Sequence, residues 1–179
     1  PGAVLRELVS TAVGGDAEVS PLAVEVVERG AEPGPAAHLP ALVAYAASVV
    51  GVLPRVDRDL ACRVLGHEDR DGDGDKDGDG FLGERDGGPT VRLVFTGDAA
   101  ARFVGLGGTV IRSVLASRGV EAYRHDGDSP VGVLLADEVA LVGLFDATGL
   151  AALLWSDTPA VRRWAAETCR RYLAAADPV

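Results

Sequence analysis

The densest candidate chemistry in this 179-residue chain lies in residues 67–89, HEDRDGDGDKDGDGFLGERDGGP, where nine acidic side chains accompany three basic ones. Calcium takes six to eight oxygen ligands, and a twelve-residue loop supplies them from alternate positions, with a glycine at position 6 for the sharp turn. One register places Asp73, Asp75 and Asp77 at positions 1, 3 and 5, Gly78 at the turn and Glu84 at the closing position. A second uses Asp75, Asp77 and Asp79, turns at Gly80, carries Leu82 at the usual apolar anchor and closes on Asp86. Each breaks one rule: the first puts Gly80 at the anchor, and the second replaces the bidentate glutamate by a shorter aspartate. Leu60 to Leu65 suits an entering helix, but Gly87-Gly88-Pro89 stops any helix leaving the loop. The preferred reading is therefore a solvated Asp/Gly insertion, disordered by self-repulsion and polar composition, with a calcium site as the alternative.

The remaining reactive residues form no catalytic pattern. His38, His67 and His125 lack zinc spacing, Cys62 and Cys169 make no CxxC pair, and Ser20, Ser113 and Ser129 lack a nucleophile elbow. Gly105-Leu106-Gly107-Gly108-Thr109 resembles a phosphate loop but falls inside a helical pattern and has no lysine. Its glycines suit a helix kink or close packing.

Three short apolar runs, Val131 to Ala136, Val139 to Phe145 and Leu150 to Trp155, are parted by Asp137-Glu138 and by Asp146-Ala147-Thr148-Gly149, residues that favour turns. They predict an antiparallel three-strand meander. Its first two strands are apolar at nearly every position, so both sheet faces should be covered. A closing helix follows, capped by Asp157 or Thr158, with Pro159 in its first turn and Val161, Trp164, Ala165, Thr168, Cys169, Tyr172 and Leu173 at helical spacing.

Upstream, strand and helix alternate. Val49 to Leu53 is a strand stopped by Pro54, and Asp57 caps a helix carrying Leu60, Ala61, Val64 and Leu65. Val91 to Thr96 is the next strand, and a helix capped at Asp98 carries Phe103, Leu106, Val110, Ile111, Val114 and Leu115 on one face, interrupted or kinked around Gly105, Gly107 and Gly108, before the strand Val120 to Arg124. The fold class is α/β: a βαβαβ parallel portion, then the antiparallel meander and a C-terminal helix packed on the sheet. Ligands of such sheets favour the crevice beyond the C-terminal ends of the parallel strands, which gathers Arg55, Thr96, Gly97, Asp98, His125 and Asp126 on one rim. Arg55 suits an anionic or polyol ligand; for Asp98 a helix cap is the simpler role, and for His125 a turn residue.

Residues 1–35 read as one amphipathic helix (Leu5, Leu8, Val9, Ala12, Val13), a strand-like Leu22 to Val27 and a linker, and residues 36–176 as a single α/β domain with the acidic insert as an excursion. No helix-turn-helix fits residues 1–40. Acidic residues outnumber basic ones 27 to 17, and Lys76 is the only lysine, a balance suited to a halophilic cytoplasm. A net charge of −10 disfavours nonspecific nucleic-acid binding. The uncharged stretch from Pro33 to Pro54 is broken by turn-formers and is too short in its apolar part for a membrane span, so Leu39, Leu42, Val43, Ala46 and Ala47 read as a core-facing helix.

The pieces ASVVGVLPRVDRDL, TVRLVFTGDAAARF, AYRHDGDSPVGVLLADEVALVGLFD and LLWSDTPAVRRWAAETCRRYLAAA together resemble the C-terminal effector domain of archaeal helix-turn-helix transcriptional regulators, especially haloarchaeal ones similar to TrmB and to the methanogenesis regulators. That family's effector domain is related to half of the phospholipase D fold without its catalysis. The resemblance implies a ligand-sensing and dimerisation domain, not an enzyme, that takes a small-molecule effector and reaches DNA only through a winged helix outside this chain. The start at Pro1 suits a fragment of such a regulator. A phospholipase-type hydrolase is disfavoured, since the catalytic His and Lys pairing is absent and Lys76 lies in the insert. The rival function is a calcium-binding or calcium-stabilised module built on residues 73–86.

Overall fold

The computed structural model describes residues 1–14, 23–56 and 90–179. Along the chain these form α1 (Gly2–Val13), β1 (Glu25–Glu28), α2 (Pro35–Val43), β2 (Ser48–Leu53), β3 (Thr90–Phe95), α3 (Gly97–Ala101) and α4 (Leu106–Ser117). There follow β4 (Val120–Arg124), β5 (Gly132–Ala136), β6 (Val139–Asp146), β7 (Gly149–Ser156), α5 (Pro159–Ala174) and β8 (Asp177–Pro178). The predicted helix from Asp57, Cys62, His67 and the calcium-loop residues Asp73, Asp75, Asp77, Asp79, Glu84 and Asp86 lie outside the described residues.

All the strands join one sheet in the order β1-β7-β6-β5-β2-β3-β4-β8. As the alternation of elements predicts, β2, β3 and β4 are parallel, with Val49 opposite Val91 and Val91 opposite Val120. The meander β5-β6-β7 is antiparallel throughout and attaches to the parallel part through β5, which runs antiparallel to β2. The closing helix packs on the sheet as its apolar stripe requires, burying Val161, Ala165, Thr168 and Cys169.

The continuous apolar runs are explained by a core on each face. On one side α2, α3 and α4 cover Val49, Leu53, Leu93, Phe95, Leu141 and Leu153. On the other α1 and α5 cover Val52, Val94, Val133, Val142 and Leu154. Leu5 and Val9 of α1 are fully enclosed there, a burial contributing about 1.5–3 kcal/mol for each side chain. That decides that α1 is a working part of the core, and β1 adds the outer strand beside β7.

Two local features shape these elements. The helix from Asp98 onward is interrupted at its glycines, as their positions predict: Gly105 takes a left-handed φ of 77° and starts α4 afresh. A Cβ at Gly108 would collide with the Phe103 backbone, so the glycine is there for close packing. In the meander, the pairing slips between Leu144 and Phe145, leaving Ala151 of β7 as the extra residue. The slip turns Leu150 and Leu153, three positions apart, onto the same core.

Candidate functional site

With β2, β3 and β4 parallel and the meander antiparallel to them, one rim of the sheet collects the segments after β1, β2, β3, β4 and β6. Five chain segments thus meet without being neighbours in sequence. A cleft of about 400 Å³ opens there, lined by Pro54 and Arg55 after β2, Gly97 and Asp98 after β3, Asp128 to Pro130 before β5, and Phe145 to Ala147 at the end of β6. Its position beyond the C-terminal ends of the parallel strands is where open α/β sheets bind ligands.

Arg55 organises the cleft. Its guanidinium donates to the Asp98 carboxylate across the β2–α3 gap and to the Asp146 backbone carbonyl. Asp146 in turn receives two hydrogen bonds from Arg29, at 2.7 and 3.1 Å, and Arg29 also reaches the Thr148 hydroxyl. Hydrogen bonds from Arg29 and from the Thr148 hydroxyl and backbone N–H hold the Asp146 carboxyl well below the usual aspartate range. Asp128 accepts the Ser129 backbone N–H at 2.8 Å, and the Ser129 hydroxyl is spent on the Val131 carbonyl at 2.7 Å. Tyr172 of α5 donates to the Asp128 carbonyl at 3.0 Å and fixes the loop from the other face. The residues of the wall thus include three aspartates and one arginine: the Asp98 carboxylate is paired with Arg55, that of Asp146 with Arg29 beyond the lining, and that of Asp128 faces Gly97.

The sequence-predicted residues are distributed unequally around this site. Arg55, Gly97 and Asp98 line the cleft. Asp98 is not the helix cap: Thr96 holds the N-cap position without a side-chain cap bond, and the Asp98 carboxylate goes to Arg55 instead. Thr96 is fully enclosed, and among the described residues its hydroxyl has no hydrogen-bond partner. His125 and Asp126 sit on the same rim but outside the lining. The His125 Nδ1 accepts the Gly127 N–H at 2.9 Å and the ring packs 4.9 Å from Tyr172, while Asp126 pairs with Arg124 at 3.3 Å. Asp128, Ser129, Phe145 and Asp146 were missed as site residues, because only the meander's place beside β2 brings them to the cleft. Among the described residues no group of three or more His, Cys, Asp or Glu side chains is arranged to hold a metal ion.

Comparison with known proteins places this geometry. The family described as "Methanogenesis regulatory protein FilR1, middle domain" matches residues 81–175, just over half of the chain and the stretch that carries β3, β4, the meander and α5. The chain belongs to the FilR1 middle-domain family. It is thereby a transcription-regulator domain, and the α/β fold expected from its resemblance is the fold observed. In structure it is similar to TrmBL2, an archaeal chromatin protein, with a TM-score of 0.54 at 13% identity over 99% of this chain. The chain spans 62% of the length of that protein. It is also similar to the phospholipase D family member Nuc from Salmonella typhimurium, with a TM-score of 0.60 at 12% identity, covering 87% of this chain and 97% of Nuc. At those identities both likenesses concern the fold. No curated protein matches the chain in sequence. Among the described residues no helix is long and apolar enough to cross a membrane.

Proposed function

We propose that this chain is the effector-sensing and dimerisation domain of a haloarchaeal transcriptional regulator, with the rim cleft as the effector site. The cleft itself carries the reading: it is concave, lies at the sheet position that binds ligands in α/β folds, and draws its walls from several separate segments. A ligand there would contact several strand ends at once. Because Arg55 is already paired with Asp98 and Asp146 with Arg29, while Asp128 adds a further carboxylate, a ligand rich in hydrogen-bond donors suits the site better than an anion. No catalytic role is proposed despite the fold shared with Nuc. The two described histidines support this: His38 stacks on Trp155 at 5.3 Å, His125 packs on Tyr172, and neither lines the cleft.

DNA contact is assigned to a different part of the regulator, since the net charge of −10 opposes phosphate binding. For dimerisation the proposed surface is the outer face of α4. Val110 is 65% exposed and Val114 39%, and the helix LGGTVIRSVLAS contains no acidic residue in an otherwise acidic chain, its one charge, Arg112, reaching back to the Phe103 carbonyl, so two copies can approach there without carboxylate repulsion.

The test is a thermal-shift panel of polyols, organic amines and organic carboxylates on the wild-type chain and on Asp128→Asn and Arg55→Ala. Stabilisation by a polyol or amine that both variants weaken is the expected result. No stabilisation by any class, or one indifferent to both variants, overturns the cleft as the effector site. Light scattering should report a dimer that Val110→Asp converts to monomer, and gel-shift titration should show no sequence-specific retention of promoter DNA by these residues alone.

A further inference from the structure

The cleft has a neighbour. On the α2 face of the sheet, Leu39, Leu53, Gly132, Leu134, Leu141, Gly143, Phe145, Leu150 and Leu153 line a second, almost wholly apolar pocket. Its origin is a deletion of side chains at the sheet surface. Gly132 and Gly143 pair directly across β5 and β6, and a Cβ on either would come within 2.9 Å of an existing side chain, the Phe145 ring for Gly132 and Leu150 for Gly143. The register slip beside Phe145 then turns both Leu150 and Leu153 into the same space. As it stands, the pocket offers about 20 Å³, room for roughly one water-sized group.

Phe145 lines both spaces. Its ring lies over the glycine pair, its residue is next to last in β6, and it is only partly buried, so it forms a wall between the polar cleft and the apolar pocket. Leu53 likewise belongs to the pocket while Pro54 and Arg55, the next residues, belong to the cleft. Turning one side chain at a strand end would join the two. Rotation of the ring would uncover a floor of glycine backbone walled by leucines, beside a cleft that carries Asp98 and Asp128.

We propose that the effector is amphipathic: a cationic amine held by Asp128, competing with Arg55 and Arg29 for Asp98 and Asp146, with an aliphatic or aromatic tail that displaces Phe145 and enters the leucine-lined pocket. This rests on the cleft being the effector site. The charge of the cleft selects the head, and its continuity with the pocket selects the tail. Phe145 is the residue that sets tail size, since it lines both the cleft and the pocket.

The experiment titrates the 15N-labelled chain with ethyl-, butyl-, hexyl- and octylammonium, and with alkyl carboxylates of matching length, following backbone amides by NMR. Ethylammonium should shift Gly97 and Ser129 at the cleft only. Longer amines should also shift Gly132 and Gly143, and affinity should rise about fourfold for each methylene until the pocket is full. The carboxylates should bind more weakly at every length. Phe145→Leu should strengthen the longer amines more than ethylammonium, while Leu134→Phe, which fills the pocket, should flatten the length dependence. Should Leu134→Phe fail to fold, Phe145→Leu carries the test alone.

Amines that shift the cleft amides with no length dependence and no change at Gly132 or Gly143 would overturn the pocket and leave the cleft standing. Polyols that bind the cleft where amines do not would overturn the amphipathic amine alone. No shift with any polyol or amine would remove the cleft reading, and the pocket with it.

Discussion

Gly97→Ala is the sharpest probe of how the cleft is built. Gly97 begins α3 with a φ of 50°, in the left-handed region, and a Cβ there would strike the Asp128 carboxylate, lying 2.9 Å from its Cγ. Left-handed backbone costs a non-glycine residue about 1–2 kcal/mol. The lower entropy of the unfolded alanine chain offsets about 0.4–1 kcal/mol of that. Asp128 can swing away from the new methyl, but its Oδ1 accepts the Ser129 N–H at 2.8 Å, and losing that bond costs about 1 kcal/mol more. The net expectation is a destabilisation of about 1–2 kcal/mol, read as a lower urea midpoint at unchanged slope. A double-mutant cycle separates the terms. Asp128→Ala already sacrifices the Ser129 bond and removes the obstacle, so adding Gly97→Ala to it should cost only the backbone strain, and the double variant should be about 1 kcal/mol better than the sum of the singles. Strict additivity would show that the two residues do not confront each other across the cleft. A Gly97→Ala chain as stable as wild type would refute the strain as well.

Asp146 is held ionised by Arg29 and Thr148, so its folded-state pKa is depressed, and the stability it contributes is present above the unfolded value of about 3.9 and lost as pH falls below it. Asp146→Asn should therefore flatten the acid limb of a stability–pH curve, and an unchanged limb would count against the Arg29 pairing. Burial pushes the Cys169 thiol up to about 12, keeping it protonated in the fold. In a Cys62→Ser background it should resist a thiol reagent until the chain unfolds, and stability should decline as pH rises from the ordinary thiol range of about 8.5 toward 12. Rapid native-state labelling would contradict that burial. Thr96→Val replaces an enclosed hydroxyl without a partner among the described residues by a methyl of the same shape, so it should leave stability equal or raise it by about 1 kcal/mol; a marked loss would reveal a hydrogen bond at that hydroxyl. For residues 73–86, calcium should raise the melting temperature no more than magnesium at equal ionic strength. A calcium-specific rise abolished by Asp77→Ala, which serves both loop registers, would instead establish the calcium site.

Much of the fold could be read from local pattern, because period and punctuation are local properties. Val120 to Arg124 is a strand with the expected ends, each meander strand lies within a residue or so of its apolar run, and Val161, Ala165 and Cys169 are buried at the helical spacing that announced them. The order of strands is a different kind of information. Nothing in the spacing of Leu22 to Val27 says that β1 will pair with β7, more than a hundred residues later. The same limit applied to the site. Arg55, Gly97 and Asp98 could be placed on the rim because parallel strands send their C-terminal ends to one side. Phe145 and Asp146 could not, since their place depends on the meander running antiparallel beside β2, and Asp128, though in the loop after β4, resembles an ordinary turn residue in sequence. His125 and Asp126 were reached by the same rule as Arg55, but the rule fixes only the edge of the sheet, and loop packing against Tyr172 turned His125 away.

The junction of β2 with β5 is where these limits and the proposed function meet. Parallel pairing alone brings the segments after β2, β3 and β4 to this rim, the last of them carrying Asp128. By setting β5 antiparallel to β2, the chain returns that loop to the side of Arg55 and adds the end of β6, with Phe145 and Asp146. The same junction carries Gly51 opposite Leu134, and next to it Gly132 opposite Gly143, so the side chains omitted there create the apolar pocket beside the polar one. Asp146 completes the connection outward: it lines the cleft, receives Arg55 on its carbonyl and holds Arg29 just beyond β1 through its carboxylate. A ligand amine that competes for the Asp146 carboxylate must therefore loosen Arg29, and through it the strand that joins α1 to the sheet. Occupancy of the rim would then reach the N-terminal elements through one side chain, by altering its partners in place.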